Sequence, residues 1–412
     1  MSNTIPIEWE LSTLESNARL ITDGAHASPP TYENGRPIAT VQNMRSRAID
    51  VSSCRLISEG DFDALTKGNC SPEINDVLFS KDGTVGKTFV FRQNERIVLL
   101  SSIAIIRLHI DRLDPEFCSQ FLLSPLFYHE LENAKSGSAI RRIVLNDLKK
   151  IELPTPPIPE QRKIADVLSS VDDVIEKTRA QIDKLKDLKI GMMQELLTKG
   201  IGNTEFKESP VGRIPAEWTV LRVADFLSER KQKGIEGLPI YSVLMEGGMV
   251  PRNTVERRVP SELESNDNRL VKHGDLAYNM MRMWQGASGI AAVDCLVSPA
   301  YVVCTPSDII DSDFLGYLLK DPASIQMLRR YSQGLTGDRL RLYFEHFKLM
   351  SFAIPPIEEQ RRIGNMLKSV DESITKKSLQ LSAQQTLKRA LMQSLLTGKV
   401  RVNVSKQETA AA

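Results

Sequence analysis

The clearest hydrophobic pattern in the chain occurs twice, over residues 156–198 and again over residues 355–397. In each stretch, apolar residues recur in alternating steps of four and three, which is the heptad pattern of helices that pair along an apolar seam. Two prolines open each stretch and mark a helix start, because the residue before a proline favours an extended conformation. We therefore predict two helices of about 40 residues, each about 60 Å long. The predicted helix-pairing residues are Ile164, Leu168, Val171, Ile175, Ile182 and Leu185 in the first stretch, and Ile363, Leu367, Val370, Ile374 and Leu381 in the second.

The two stretches are copies of each other. They align without a gap at an offset of 199 residues, with 21 identities over 43 positions, so the chain contains an internal duplication. Two seams of matched length in one chain favour packing of one helix on the other. The alternative is that each is an ordinary amphipathic helix buried on its own domain. Lys377 and Gln384 interrupt the second seam and mark a place where the pairing is less regular.

A second repeated motif, Ile-Pro-x-Glu-Trp, ends at Trp9 and at Trp218. Each half of the chain therefore contains this tryptophan motif, a variable body and a long helix. Residues 200–212 are polar and contain glycine and proline, and we interpret them as a linker. The predicted divisions are residues 1–155 for the first body (body 1), 156–200 for the first helix, 201–354 for the linker and the second body (body 2), 355–402 for the second helix, and 403–412 for a disordered tail.

The two bodies differ in sequence but share an order of predicted elements. A glycine-bearing loop comes first, then an apolar strand-like run, then a helical segment, then a loop that contains glycine and arginine. Mixed strands and helices make each body α/β or α+β, and about 150 residues suffice for a separate core. The strand-like runs lie at 98–108 and 296–304, and the helical segments lie around 115–132 and 312–330.

Composition and charge restrict the class of protein, its location and its cofactors. The 412 residues are 41% hydrophobic and 25% charged, as in soluble globular proteins. No apolar run approaches the roughly 20 residues of a membrane span, and the start of the sequence lacks a basic-then-apolar signal, so we expect a cytoplasmic location. The formal net charge of +1 shows no general basic excess, so any DNA-binding charge must be local or supplied in part by partners. The five cysteines are scattered without a C-x-x-C pair, which argues against disulfides and a zinc site.

The sequence contains no complete match to the catalytic motifs considered. A phosphate-binding P-loop ending at Lys87 would need a glycine where the chain has Lys81, so we interpret Gly83 and Gly86 as a turn that lets both lysines approach a phosphate. The segment 28–32 only partly matches the active-site tetrapeptide of DNA amino-methyltransferases, and we interpret it as a loop. The five histidines show no ligand spacing. We therefore predict no catalytic residue and no metal site. The alternative is a catalytic half-module whose active site has no recognisable motif.

Polar loops that contain arginine and amide side chains give a different signal. Arginine suits the edge of guanine, asparagine and glutamine suit adenine, and arginines beside small polar residues suit phosphates. Such residues recur at matching places in both bodies, which favours DNA binding over a merely solvated surface. The stretch 281–284 remains open to two interpretations, an apolar wedge for DNA or part of the core. The candidate DNA-binding residues are Gln42, Asn43, Arg45, Lys81, Lys87, Ser138, Arg141, Arg142, Asn279, Arg282, Trp284, Gln285, Thr336, Arg339 and Arg341.

With the paired P-P-I-x-E-Q-R openings, the Leu-Leu-Thr closings and the I-P-x-E-W motifs, nearly the whole chain resembles the specificity subunit of type I restriction-modification systems. The resemblance implies two target recognition domains, each of which reads one half of a bipartite, asymmetric DNA sequence. It implies two long helices that pair as an antiparallel coiled coil with pseudo-twofold symmetry, and whose length sets the non-specific spacer.

The resemblance also implies partners. These are double-stranded DNA, two methyltransferase subunits that carry S-adenosylmethionine, and restriction or motor subunits that use ATP and magnesium. The chain itself would then hold no cofactor and perform no catalysis, and would direct these subunits to their target. A two-headed protein-binding structural adaptor is the alternative function.

Overall fold

The computed structural model describes residues 5–133, 142–255, 265–337 and 339–404. The chain forms two compact units. Both boundaries between the units fall inside the long helices, so each unit contains one body, the first part of one long helix and the last part of the other. Unit 1 consists of Met1–Arg179 and Leu379–Ala412, and unit 2 consists of Ala180–Ser378.

Body 1 contains nine strands and four shorter helices among the described residues. The strands are β1 (Glu10–Thr13), β2 (Ala18–Asp23), β3 (Arg36–Ala39), β4 (Arg55–Ile57), β5 (Val77–Ser80), β6 (Thr88–Val90), β7 (Val98–Leu99), β8 (Ile103–Leu108) and β9 (Glu152–Thr155). The helices are α1 (Glu59–Lys67), α2 (Pro115–Leu122), α3 (Pro125–Asn133) and α4 (Leu145–Lys150), and the long helix α5 (Ile158–Leu196) follows.

Body 2 repeats the pattern with a few additions. The strands are β10 (Phe206–Ser209), β11 (Gly212–Pro215), β12 (Thr219–Arg222), β13 (Leu227–Glu229), β14 (Tyr241–Val243), β15 (Met249–Pro251), β16 (Arg269–Val271), β17 (Leu276–Asn279), β18 (Ser288–Ile290), β19 (Cys295–Val297), β20 (Tyr301–Pro306) and β21 (Ser351–Ile354). The helices are α6 (Val223–Phe226), α7 (Ser312–Leu318), α8 (Pro322–Tyr331) and α9 (Phe344–Phe347), and the long helix α10 (Ile357–Leu395) follows.

Each body is organised around a four-stranded antiparallel sheet. The strand order is β2-β8-β5-β6 in body 1 and β13-β20-β17-β18 in body 2. Side chains alternate between the two faces of a strand, and both faces of β5 are covered. Val77 and Phe79 pack against α2 and α3, whereas Leu78 packs toward β3 and β7. The central strand β5 is therefore enclosed by helices on one face and by the β4-β3-β7 sheet on the other.

Prolines and turns divide several predicted segments. The strand-like run 98–108 is two strands, β7 and β8, with a turn between them, and each predicted helical segment is two helices. The second helix of each pair begins at Pro125 or Pro322, because proline fits the first helical turn but would remove a hydrogen bond from the middle of a helix. The linker interpretation of residues 200–212 is wrong from residue 206 onward, because residues 206–212 belong to the antiparallel hairpin β10-β11, which ends at Pro215.

The two long helices are each 39 residues long. In unit 1, Ile164 and Leu168 near the start of α5 share a hydrophobic cluster with residues 392–396 near the end of α10. In unit 2, residues 363–367 near the start of α10 share a cluster with residues 193–197 near the end of α5. The helix segments therefore run antiparallel within each unit, as the resemblance implies. Among the described residues, no helix is long and apolar enough to cross a membrane.

The seam residues are only partly a helix-pairing set. The first two in each helix also belong to the core of the adjacent body, since their clusters include Phe117 and Phe121 in unit 1 and Phe314 in unit 2. The first part of each long helix therefore packs both on its adjacent body and on the other long helix. Ile164, Leu168, Ile175, Ile182, Ile363, Leu367 and Val370 are buried, and Val171, Leu185, Ile374 and Leu381 are half-buried.

Candidate nucleic-acid interface

The tryptophan motif and the helix-opening motif bind each other in unit 1. The indole N–H of Trp9 donates to Glu160 Oε2 at 3.1 Å, and both side chains are buried. Arg401, beyond the end of α10, donates to both oxygens of Glu160 at 2.7 and 2.9 Å and to Glu8 at 2.8 Å. These bonds hold the pKa of Arg401 above its ordinary value. The start of the body, the start of α5 and the end of α10 therefore meet at one carboxylate.

The same arrangement recurs in unit 2 with different donors. The indole N–H of Trp218 donates to Glu359 Oε2 at 3.0 Å. The other oxygen of Glu359 accepts from the backbone N–H of Ile201 at 2.8 Å and from the amide of Asn203 at 2.9 Å. Glu160 and Glu359 are separated by the repeat offset. Each glutamate accepts hydrogen bonds from the tryptophan of its unit and from the segment that follows the other long helix. These shared contacts explain why glutamate occupies this position in both motifs.

The glutamine that follows this glutamate fixes the helix start to the body. The amide of Gln161 donates to the carbonyl oxygens of Pro156 at 2.8 Å and Arg112 at 2.9 Å, and its Oε1 accepts from the N–H of Asp114 at 2.8 Å. Gln360 makes the equivalent three bonds in unit 2 and, like Gln161, has no exposed surface. The E-Q pair of each opening motif therefore has a structural role.

A third repeated contact joins both long helices to body 1 in unit 1 and to body 2 in unit 2. In unit 1, Lys388 of α10 pairs with Asp172 of α5 at 2.6 Å, and the amide of Gln120 on α2 donates to the same carboxylate at 2.8 Å. In unit 2, Asp371 of α10 accepts from Lys189 of α5 at 2.7 Å and from the hydroxyl of Tyr317 on α7 at 2.8 Å. Burial and this bond to Asp371 raise the pKa of Tyr317.

A buried aspartate closes the turn before the central strand in each body. Asp76 accepts two bonds from Arg107, at 3.0 and 2.9 Å, and one from the N–H of residue 73 at 2.7 Å. Asp275 makes the equivalent bonds to Arg230, at 2.6 and 3.1 Å, and to the N–H of residue 272 at 2.8 Å. Both carboxylates are almost fully buried, so the paired arginine offsets the loss of hydration. The strands that carry the candidate loops thus start from rigid positions.

Each central strand leads into a loop that we call the glycine loop, residues 81–87 in body 1 and 280–287 in body 2. The loops close in the same way. The N–H of Ser80 donates to the carbonyl of Lys87 at 2.8 Å, and the N–H of Asn279 donates to that of Ala287 at 2.9 Å. The loop of body 2 is therefore one residue longer.

The later arginine-bearing segments lie against these glycine loops. The N–H of Ile143 donates to the carbonyl of Lys81 at 2.8 Å, and the N–H of Leu342 donates to that of Met280 at 2.9 Å. The candidate loops that the sequence analysis identified separately are therefore adjacent in each body. Ser138 and Arg141 lie outside the described residues, and Arg142 lies beside Asp82.

Two candidates in body 1 use their polar groups for contacts inside the body and therefore have structural roles. Asn43 is buried and caps the short helix Val41–Asn43, accepting from the N–H of Thr40 at 2.8 Å and donating to the carbonyl of Ser53 at 2.9 Å. Lys81 is buried and pairs with Asp23 at 2.8 Å. We therefore remove Asn43 and Lys81 from the DNA-binding set, because neither presents a free donor or acceptor at the surface.

The remaining candidates of body 1 differ in how far they are engaged. The guanidinium of Arg45 is exposed, pairs with Asp50 at 2.6 Å and donates to the carbonyl of Gln42 at 3.2 Å. Hydrogen bonds from Ser52 and Arg45 lower the pKa of Asp50 to about 2. The side chain of Gln42 is exposed. Lys87 is half-buried, and its ammonium donates to the carbonyl of Met44 at 3.0 Å.

The candidates of body 2 are mostly exposed. Asn279 is half-buried, and its side-chain oxygen accepts from the N–H of Met281 at 3.0 Å. Trp284 is also half-buried, with its indole N–H donating to the carbonyl of Met281 at 3.0 Å. Within the 281–284 stretch, Met283 is part of the core and Met281 is exposed, so the core interpretation holds for Met283 and the DNA wedge stays a prediction. Arg282, Gln285, Thr336, Arg339 and Arg341 are exposed.

Three residues that contact the candidate loops or the neighbouring long helix were not predicted from the sequence. The guanidinium of Arg329 lies 5.6 Å from the ring centroid of Trp284, a cation–π distance. Arg47 pairs with Asp173 of α5 at 2.5 Å. Lys320, between α7 and α8, donates to the carbonyl of Met245 at 2.8 Å and to that of Gly286. The sequence contains one indication for Lys320. The run 318–320 ends in a lysine, whereas the matching run of body 1, residues 121–123, contains only phenylalanine and leucine.

A cleft of about 1120 Å³ lies within unit 1 beside the glycine loop. Arg45, Arg47, Lys87 and Lys388 line it together with the carboxylate of Glu176. Its charges are mixed, so the cleft alone indicates no single ligand. Among the described residues, no group of three or more histidine, cysteine, aspartate or glutamate side chains is placed to hold a metal ion.

Comparison with known proteins places this double scaffold in one family. The family model described as type I restriction modification DNA specificity domain matches residues 10–187 and again residues 215–383. The type I restriction enzyme MjaVIII specificity subunit of Methanocaldococcus jannaschii is 28% identical over 350 residues, which is 80% of this chain and 80% of that protein.

Solved structures show the same fold. The crystal structure of a type I restriction-modification system S subunit from M. genitalium matches with a TM-score of 0.58 at 14% identity, covering 96% of this chain and 97% of that one. A chain from a structure on complex assembly and conformational transition of the type I R-M system matches with a TM-score of 0.57 at 16% identity, covering 96% and 100%. The chain thus belongs to the type I restriction modification DNA specificity family, as a sequence-specificity subunit with two target recognition domains.

Proposed function

We propose that body 1 and body 2 each read one half of a bipartite, asymmetric DNA sequence through the glycine loop and the segments packed against it. The observation that carries this proposal is the contrast between scaffold and loops. The bonds of Glu160, Gln161 and Asp172 recur in body 2 at the repeat offset. The loops they support differ in length and residue type, which is what two related readers of different half-sites require.

The exposed groups have suitable chemistry. In body 2, Arg282 and Gln285 lie on the glycine loop, and Arg339 and Arg341 lie on the segment beside it. Arginine and glutamine can pair with base edges, and arginine also binds phosphates. In body 1, Gln42 and Arg45 lie on the 40–45 segment, and the ammonium of Lys87 reaches that segment from the glycine loop. Base selection would come from these few side chains and from DNA shape.

The proposed chemistry of the assembly belongs to partner subunits. This chain would bind methyltransferase subunits that use S-adenosylmethionine, and restriction subunits that use ATP and magnesium, and would bring them to the target. It would contribute binding and orientation without a catalytic residue or cofactor of its own. The expectation that the length of the long helices sets the spacer between the half-sites stays a prediction.

The proposal is tested by mapping methylated adenines in the genome of cells that express this chain with a matching methyltransferase subunit. We expect a bipartite motif that is absent when this chain is deleted. A second culture, with body 2 replaced by that of another family member, should keep one half of the motif and change the other. Methylation that does not depend on this chain, or a motif in which both halves change together, would contradict the assignment of one half-site to each body.

A further inference from the structure

We propose that Lys320 and Lys87 are positioning residues, each of which holds the recognition loop of its own body in a fixed shape and so determines selectivity at one half-site. This inference rests on the proposed function. It replaces the sequence-based expectation that Lys87 contacts a phosphate, and it adds Lys320, which the sequence analysis did not identify.

Lys320 joins two separate segments of body 2. Its ammonium donates to the carbonyl of Gly286, the next-to-last residue of the glycine loop, and at 2.8 Å to the carbonyl of Met245, in the turn between β14 and β15. Arg282 and Gln285 are carried by the first of these segments. One cation therefore sets the distance between a turn and the loop with the exposed candidate side chains.

The loop and the neighbouring turn both contain glycines with positive φ. Gly286 has φ +85°, a conformation that other residues rarely adopt, and Gly247 and Gly248 in the neighbouring turn have φ +85° and +64°. Such glycines have many accessible conformations before they are fixed. The charge-assisted hydrogen bonds of Lys320, to Gly286 itself and to Met245, two residues before Gly247, limit that freedom.

Lys320 is itself held by the scaffold. Tyr317, one helical turn earlier in the α7 region, donates to Asp371, and Asp371 also accepts from Lys189 at 2.7 and 2.8 Å. The ammonium of Lys189 lies 5.3 Å from the ring centroid of Tyr317. The position of Lys320 is therefore fixed by contacts with both long-helix segments of unit 2.

In body 1, the corresponding hydrogen bond is made by a lysine on the glycine loop itself. The residue that matches Lys320, three positions after the Asp172-binding Gln120, is Leu123, whose side chain cannot donate a hydrogen bond. Instead the ammonium of Lys87, from the glycine loop itself, donates to the carbonyl of Met44 at 3.0 Å. In both bodies a lysine ammonium thus joins the glycine loop to the segment that follows β3 or β14.

A phosphate-contacting lysine and a positioning lysine predict different behaviour. Removing a phosphate contact weakens binding to all sequences alike and lowers the salt dependence of binding by about one unit of slope. Removing a positioning residue leaves the slope unchanged and lowers discrimination at one half-site, because the loop that reads it samples more shapes. The two halves of the motif report on the two bodies separately, so each variant contains an internal control for folding and assembly.

The first experiment measures loop order in the full chain without DNA. Hydrogen exchange is compared for wild type, Lys320→Met, Lys320→Gln (which keeps an N–H donor) and Lys272→Met, an exposed lysine of the same body. We expect about tenfold faster exchange in peptides covering 244–249 and 280–287 for Lys320→Met, a smaller change for Lys320→Gln, and no change for the control. Unchanged exchange in Lys320→Met would overturn the positioning role whether or not the chain binds DNA.

The second experiment uses the assembly with methyltransferase subunits and the bipartite DNA site mapped for the wild type. Lys320→Met should lower discrimination against single-base changes about tenfold in one half-site, and Lys87→Met should do so only in the other. Equal loss at both halves, or a uniform loss of affinity with a lower salt slope, would overturn the inference. A wild-type assembly with no sequence preference would instead refute the proposed function, and the exchange measurement would still decide the positioning role.

Discussion

Replacing Gln360 with methionine tests whether the glutamine of the helix-opening motif has the structural role that its contacts indicate. Methionine has a similar length and shape but supplies neither the amide donors nor the oxygen acceptor. The variant would leave the carbonyls of Pro355 and Ile309 and the N–H of Asp311 without their present partner. Asp311 is also the residue that caps α7, so the defect lies where that helix begins.

The expected loss can be worked out from these three bonds. An intramolecular hydrogen bond contributes a net of about 1 kcal/mol, and a buried group left unpaired adds about 1–3 kcal/mol. Gln360 has no exposed surface, so water cannot replace the amide without rearrangement. Some relaxation will occur, and we expect a loss of about 4 kcal/mol in the free energy of unfolding of unit 2. For a domain of this size, that lowers its Tm by about 10 °C.

The assay should report on each unit separately, because the full chain need not unfold in one step. Hydrogen exchange along a urea series gives a free energy for peptides of unit 1 and of unit 2. Gln393→Met is the matched control, since Gln393 lies on the same helix with an exposed side chain. A loss of less than about 1 kcal/mol in Gln360→Met, or an equal loss in both units, would refute the assigned role.

Three further predictions concern charge. Burial, then the nearby Lys189, lowers the pKa of Lys320 to about 8, while Glu246 opposes the shift, so the folded chain binds fewer protons than the unfolded chain between pH 8 and 10.5. Stability should therefore rise with pH in that window, by about 2 kcal/mol relative to Lys320→Met in urea unfolding, and a constant difference would contradict this. Arg401→Ala should cost unit 1 about 2 kcal/mol by the same measurement, because it removes two hydrogen bonds to the buried carboxylate of Glu160. Arg282→Ala should lower base discrimination in one half-site by about 1–3 kcal/mol, measured by competition between DNA duplexes, with the other half unchanged.

The scaffold was predictable because its signals repeat. A fixed offset of 199 residues, two heptad seams and two proline pairs indicate two long helices and two bodies without any tertiary information. The purpose of individual motif residues was not predictable. Gln161 is explained by the carbonyl of Arg112 and the N–H of Asp114, which lie almost 50 residues away in sequence. No local pattern reveals such a partner.

The described parts of the candidate loops lie next to each other within each body, but residue type alone could not assign roles within them. Asn43 has the amide that could read adenine, and the same amide can cap a short helix, which is its observed role. Lys81 has the charge that could bind phosphate, and the same charge can pair with a buried aspartate, as it does with Asp23. Burial decides between these uses, and burial of a polar side chain is not encoded in its immediate neighbours.

Lys87 and Lys320 show why even a duplicated sequence hides part of its own symmetry. What the two bodies share is a carbonyl beside the glycine loop that accepts from an ammonium. The donor reaches that place from the loop in body 1 and from the segment between α7 and α8 in body 2. Aligning the two halves at the repeat offset compares residues at equivalent positions. It therefore cannot detect a hydrogen bond that occurs in both bodies but whose donor comes from different positions in the sequence. If the two lysines position the loops as we propose, the loops can change length and composition independently, and one scaffold can carry two different recognition surfaces.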